Sequence, residues 1–160
     1  MTADFWIEKL KLLPHPEGGY YRETYRCNQF INVEGFEGSR NVSTAIYFLL
    51  DSKNKSHFHR IKSDELWFFH EGNSLDILLL DNKELKTISL GKNPDQDEEL
   101  QAAVPAGCWF GARLKNGEGY ALVSCTVAPG FDFRDFELAN KEELKKSYPD
   151  YIDILNEMSL

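Results

Sequence analysis

Three cysteines in 160 residues, at positions 27, 108 and 125, are too few and too far apart for a disulfide framework or a zinc ribbon. A reduced, cytoplasmic setting is therefore expected, or a nucleocytosolic one in a eukaryote. No apolar run approaches the roughly 18 residues that a membrane span needs. The opening MTADFWIEKLKLL has neither a basic n-region nor a small-residue cleavage site, so it does not read as a leader. Basic residues are scarce: 18 Lys and Arg face 26 Asp and Glu, for a net charge of -8. That balance argues against a nucleic-acid polymer as partner, because such binding relies on cations to displace phosphate counterions. It leaves room for one nucleotide in a local basic pocket. There is no repeat, low-complexity tract or linker, and residues 1–160 read as one domain large enough to bury a core.

What is present is β-type patterning. Residues 3–13 place Trp6, Leu10 and Leu13 on one helical face, with Thr2 or Asp4 as cap and Pro14 as stop. From Tyr20 onward short runs alternate with Gly, Asn, Asp, Ser and Pro: YYRETYRC, NVSTAIYFLL, SHFHRI, ELWFFHEG, SLDILLLD, KELKTISLG, AAVPAGCWFGARL and YALVSCTVAP, with FRDFEL as a further candidate. Even spacing of such runs reads as a sandwich or barrel. After Asn140, which with Glu143 makes a capping-box pattern, the chain returns to helix, and Pro149 separates a second helical segment at 150–158.

The segment from Ser56 to Gly72 carries the chemistry. On a regular strand His57 and His59 share a face, and Glu65 opens the next strand where it can be brought opposite them. Two imidazoles and a carboxylate can serve as a first-row metal site with open positions or as an acid-base set. His70 projects away from the Glu65 face by the same alternation. Along YYRETY one face holds Tyr21, Glu23 and Tyr25 and the other Tyr20, Arg22 and Thr24; either could line a pocket. Arg60 and Arg113 lie beside these motifs and could bind a phosphate or carboxylate bidentately. Trp67 and Phe110 are candidate pocket walls. The acidic stretch Pro94–Glu99 is a candidate handle for a protein partner.

The pattern His57, His59, Glu65 and Gly72, followed by Pro105-Ala106-Gly107, resembles the two motifs of the cupin superfamily. The phrases at His15–Tyr25, Ser43–Leu50, Asp64–Trp67, Val104–Ala112 and Val127–Leu138 resemble one small cupin family of unknown function. The resemblance implies an all-β, double-stranded β-helix (a cupin jelly-roll barrel) with a short N-terminal helix and C-terminal helices, paired as a homodimer. It also implies an architecture similar to the nucleotide-sugar epimerases, whose early strand has a phrase like Gly19-Tyr20-Tyr21-Arg22-Glu23. The family's fourth metal ligand falls at Phe110, whose ring has no lone pair to give. Loss of that ligand leaves at most His57, His59 and Glu65 for a divalent metal, and no cofactor is expected with assurance.

Three functions follow as expectations. The first is a pocket for a polar or phosphorylated metabolite, such as a nucleotide or sugar nucleotide. Isomerase or epimerase chemistry would then rest on His57, His59 and Glu65, with Tyr21, Glu23, Arg60, Trp67 and Phe110 binding the ligand. The second is a metal-dependent dioxygenase or isomerase built on the same two histidines and Glu65. The third is a non-catalytic protein-interaction module.

Overall fold

The computed structural model describes residues 1–160. Helix α1 (Ala3–Leu10) is capped by the Thr2 hydroxyl, which accepts from the Phe5 amide. Strands β1 (Leu13–Pro14), β2 (Tyr20–Arg26), β3 (Phe30–Ile31), β4 (Arg40–Asn41), β5 (Thr44–Asp51) and β6 (Ser56–Arg60) follow. Then come β7 (Asp64–Gly72), β8 (Leu75–Asp81), β9 (Glu84–Leu90), β10 (Gln101–Val104), β11 (Trp109–Leu114), β12 (Tyr120–Ala128) and β13 (Glu137–Leu138). Two short helices, α2 (Lys141–Ser147) and α3 (Ile152–Met158), close the chain.

The strands form two principal sheets, ordered β1-β2-β5-β12-β7-β10 and β13-β6-β11-β8-β9, with β3-β4 as a separate ribbon. Every pairing between named strands is antiparallel, and the two sheets face each other as a jelly roll. Alternation dictates the three apolar layers. Phe48, Leu50, Trp67, Ile77, Leu79, Phe110, Val123 and Cys125 pack between the sheets. Phe58, Leu78 and Leu80 point outward from the second sheet under Leu144, Leu155 and Met158 of the C-terminal helices. Leu49 and Leu122 point outward from the first sheet against Trp6, Ile7 and Leu10 of α1. This arrangement explains why AIYFLL and ILLL are apolar on both faces.

The N-terminal helix is shorter than its hydrophobic spacing suggests. Lys11 adopts a left-handed conformation (φ 54°) and its amide bonds back to the carbonyls of Glu8 and Ile7, ending the helix well before Pro14. Leu13 is consequently not on a helical face but 65% exposed in β1. In the acidic stretch Glu98 turns inward, where its carboxylate accepts from the Asn93 amide and side chain, so the stretch is not a uniformly exposed handle.

Candidate functional site

One end of the space between the sheets stays open as a cavity of about 600 Å³. Its walls come from the inward residues of β2, β5, β7 and β12, and from His59 and Ile61 at β6. The segment Phe131–Phe136 and the turn before β2 close its sides. The turn is His15-Pro16-Glu17-Gly18-Gly19. Gly18 has φ +107°, and a Cβ there would lie 1.9 Å from the Lys55 carbonyl oxygen, so only glycine lets this turn press against the chain entering β6. The turn swings Glu17 into the cavity, where it is 6% exposed.

Glu17 is the centre of a buried polar cluster. Its Oε2 lies 2.9 Å from His59 Nε2, and its Oε1 accepts from the Ser56 hydroxyl at 2.8 Å. His59 Nδ1 donates to the His57 carbonyl at 2.7 Å, so its proton is on Nδ1 whatever the charge on the ring. Burial alone would push the Glu17 carboxyl up and the His59 imidazole down. Their mutual attraction reverses both, holding Glu17 below and His59 above the ordinary value, as an imidazolium-carboxylate pair. The third member is His15, whose Nδ1 accepts the Glu17 backbone N–H at 3.2 Å and stands 3.6 Å from Glu17 Oε2. Burial lowers the His15 pKa, the Glu17 charge opposing it and the His59 charge adding to it. His15 is therefore a neutral ring, and since Nδ1 must offer its lone pair to the amide, its proton is on Nε2.

Glu65 stands on the adjoining wall with Trp67 on the same face of β7 and Cys125 and Val127 on the neighbouring β12. It is 8% exposed and makes no hydrogen bond of good geometry within 3.5 Å, with only the Trp67 indole and the Cys125 thiol as weak donors to it. The Trp67 indole N–H is likewise enclosed without an acceptor of good geometry in that range. Burial, followed by the Glu17 charge, raises the Glu65 carboxyl to about 7, with His59, Cys125 and Trp67 offsetting only part of the shift. Burial also drives the Cys125 thiol well above its ordinary range, so it is no thiolate. A nearly closed run of rings encircles these groups. His15 meets Phe48 at 6.1 Å, Phe48 meets Trp67 at 5.7 Å, His59 meets Phe110 at 4.2 Å, and Phe136 reaches His59 at 5.4 Å and His15 at 5.9 Å.

The mouth carries the charge. Glu23 and Arg26 pair bidentately at 2.8 and 2.7 Å, and Arg26 is further tied to Asn41 and the Phe131 carbonyl. Asp132 is held far below the usual carboxylate range by its hydrogen bonds to Arg134. Arg22 adjoins the same rim through β2, but its guanidinium turns to the opposite face of the strand, over the outward Tyr47 ring at 5.9 Å.

The sequence-predicted residues thus divide. His59, Glu65, Tyr21, Glu23 and Trp67 line the cavity; His57, Arg60 and Phe110 do not. His57 is turned out by a β-bulge. Phe110 pairs with His59 and Ala112 with Ser56, so β6 spends three residues where β11 spends two. Ser56 and His59 face the cavity as a result, and His57 hydrogen-bonds through Nδ1 to the Glu17 carbonyl at 2.7 Å. Phe110 is packed behind His59, 1% exposed, as core. Arg60 pairs with Glu137 and lies over the Trp109 ring at 4.3 Å on the outer surface, and Arg113 pairs with Glu157. Glu17, His15 and Cys125 line the cavity although no sequence motif marks their chemistry. The one signal for the first two was their place beside a double glycine.

A metal of the kind the cupin motifs imply does not fit this donor set. His57 faces away, Phe110 replaces the fourth ligand, and both nitrogens of His59 are engaged by protein oxygens. No group of three His, Cys, Asp or Glu side chains converges as ligands.

A double-stranded β-helix with a polar cluster in its open end defines the class: a cupin with an internal cavity. The sequence profile described as "Cupin superfamily (DUF985)" matches residues 4–139, and the chain belongs to that family. An uncharacterized protein of Saccharomyces cerevisiae is 31% identical over 153 residues, spanning 87% of this chain and 76% of that protein. A hypothetical protein from Leishmania major superposes with TM-score 0.91 at 37% identity over 99% of both chains. A Shewanella oneidensis protein does so with TM-score 0.91 at 41% identity, over 100% of this chain and 98% of the other. Bacillus subtilis oxalate decarboxylase shares the fold alone, with TM-score 0.55 and 17% identity over 91% of this chain and 36% of that enzyme.

Proposed function

We propose that this chain binds a polar or phosphorylated metabolite, in the size range of a nucleotide or sugar nucleotide, and performs proton-transfer chemistry of the isomerase or epimerase type on it. The observation that carries the reading is Glu65: a carboxyl buried in a cavity wall, to which only the Trp67 indole and the Cys125 thiol donate, both weakly. A buried carboxyl so poorly paired costs stability and contributes nothing to packing. Its pKa of about 7 suits a group that gives and takes protons near neutrality. Arg26 places its guanidinium at the mouth beside the Phe131 carbonyl, which favours an anionic substituent on the ligand. The Gly19–Glu23 phrase adds the likeness to sugar-nucleotide epimerases, and the family resemblance extends the proposal to a cytoplasmic homodimer.

A thermal-shift panel of nucleotides, sugar nucleotides and organic acids tests the reading. At about 100 times Kd, a ligand that binds only the folded state raises Tm by roughly 5 °C or more. The shift is expected in the wild type and absent in Ile46→Trp, which fills the cavity. A flat response across the panel, or an equal one in the filled variant, overturns it.

A further inference from the structure

Most of the cluster's hydrogen-bonding capacity is already used within the protein. Both oxygens of Glu17 and both nitrogens of His59 are occupied, so neither can take a proton from a ligand without breaking a buried bond. Two proton-carrying groups remain able to meet a ligand. One is the Glu65 carboxyl, to which only the Trp67 indole and the Cys125 thiol donate, weakly. The other is His15 Nε2–H, on a side chain 6% exposed whose Nδ1 is fixed by the Glu17 amide, and which meets no protein acceptor. The two groups flank one ion pair, and each feels the charges of Glu17 and His59. Tyr21 packs edge-on against His15 at 4.5 Å and Phe48 backs it at 6.1 Å, fixing the plane in which Nε2–H points.

We infer that Glu65 is the base and His15 the neutral electrophile of an enolisation site whose substrate is a phosphorylated α-hydroxy aldehyde or ketone. This rests on the cavity reading above. The Glu65 carboxylate removes the proton from the carbon beside the carbonyl. The C–H electron pair becomes the carbon-carbon double bond, and the carbonyl π pair moves onto oxygen. His15 meets that oxygen with Nε2–H, donates its proton there and recovers one from the neighbouring hydroxyl. Glu65 then returns its proton to the former carbonyl carbon as the new carbonyl forms at its neighbour, which isomerises the compound. One carbon is oxidised and its neighbour reduced within the same molecule, so no outside oxidant is required. A neutral imidazole is the suitable donor, because its Nε2–H is closer in acidity to the enol it must stabilise than an imidazolium is. Arg26, whose guanidinium is held at the mouth by Asn41 and the Phe131 carbonyl, takes the phosphate.

The test is proton exchange in D2O, followed by 1H NMR with dihydroxyacetone phosphate, erythrose 4-phosphate, ribose 5-phosphate and fructose 6-phosphate. Loss of the α-proton signal is expected at least a hundredfold above buffer for one or more of them. Glu65→Gln should lose at least a hundredfold in that rate with Kd changed less than fivefold. His15→Phe, which keeps the ring and deletes the N–H, should lose at least tenfold in rate with a smaller change in KM. In the wild type at pH 7, 15N NMR should find His15 neutral with its proton on Nε2. Binding without exchange overturns the inference and leaves the cavity reading intact. So does a response to the wider panel with none of these four bound, or a His15 that is cationic or protonated on Nδ1. A protein that binds nothing in either panel removes both.

Discussion

Two buried charge clusters lie a short way apart in this molecule and are built on opposite principles. In the first, Arg40 meets Asp135 bidentately at 2.7 and 2.8 Å, and its remaining nitrogen donates to the carbonyls of Glu37 and Ser39 at 2.8 and 3.0 Å. The guanidinium has acceptors on every side, and the pair ties β4 to the Phe131–Phe136 segment that roofs the cavity. In the second, Glu17 and His59 are equally satisfied, but Glu65 and the outer nitrogen of His15 are not. Closed clusters hold architecture, whereas the open one keeps donors and acceptors for something the chain does not itself supply.

Breaking the closed cluster should have the largest effect. Arg40→Ala leaves the Asp135 carboxylate buried without its partner, which costs about 3–5 kcal/mol. For a domain of this size that lowers Tm by roughly 10 °C, measured by calorimetry or urea unfolding. A loss below about 1 kcal/mol would mean that Asp135 reaches water easily and that the two clusters do not differ as described.

The open cluster should answer with the opposite sign. The Glu65 carboxyl, at about 7 in the folded protein and about 4.5 unfolded, binds its proton more tightly when folded. Its stabilising effect is complete below pH 4.5, declines between 4.5 and 7, and is gone above that. Glutamine has no proton to lose, so Glu65→Gln should match the wild type near pH 4 and exceed it by roughly 3 kcal/mol at pH 8. A variant that gains stability while losing exchange activity would place Glu65 among the groups retained at the expense of the fold. A variant less stable than wild type at pH 8 would show that an unseen partner satisfies the carboxylate.

These clusters differ in how far the sequence discloses them. The strands are legible because alternation and turn residues are local signals: Leu75–Asp81 and Tyr120–Ala128 fall where the apolar runs place them. Glu65 and His59 are legible for the same reason. His57 is not, because a bulge is one extra residue and leaves no mark in the HxH spacing. Leu13 misleads because helical periodicity does not say where Lys11 will turn left-handed. Glu17 lies 42 positions before His59, and only the packing of the Gly18-Gly19 turn on β6 brings them together. Arg60 and Arg113 sit beside motifs in sequence yet pair on the surface, since on a strand adjacent residues face opposite ways.

The smallest expected effect sharpens the comparison within the mouth itself. Arg26 and Arg22 are four residues apart on β2. Arg26 resembles the closed cluster in miniature, its guanidinium held at the cavity mouth by Glu23, Asn41 and the Phe131 carbonyl. Arg22 turns to the opposite face of the strand, with its guanidinium over the outward Tyr47 ring at 5.9 Å. Arg26→Gln should therefore weaken a phosphorylated ligand about tenfold, or about 1.4 kcal/mol, measured by calorimetric titration, whereas Arg22→Gln should leave its affinity unchanged. The dephosphorylated analogue should bind all three proteins alike, and Tm should fall by no more than about 3 °C in Arg26→Gln, because the pair it breaks is half-exposed. If instead both analogues weaken equally, the anion does not sit at Arg26. The ligand would then enter with its phosphate toward His59, the one cation at the cavity floor.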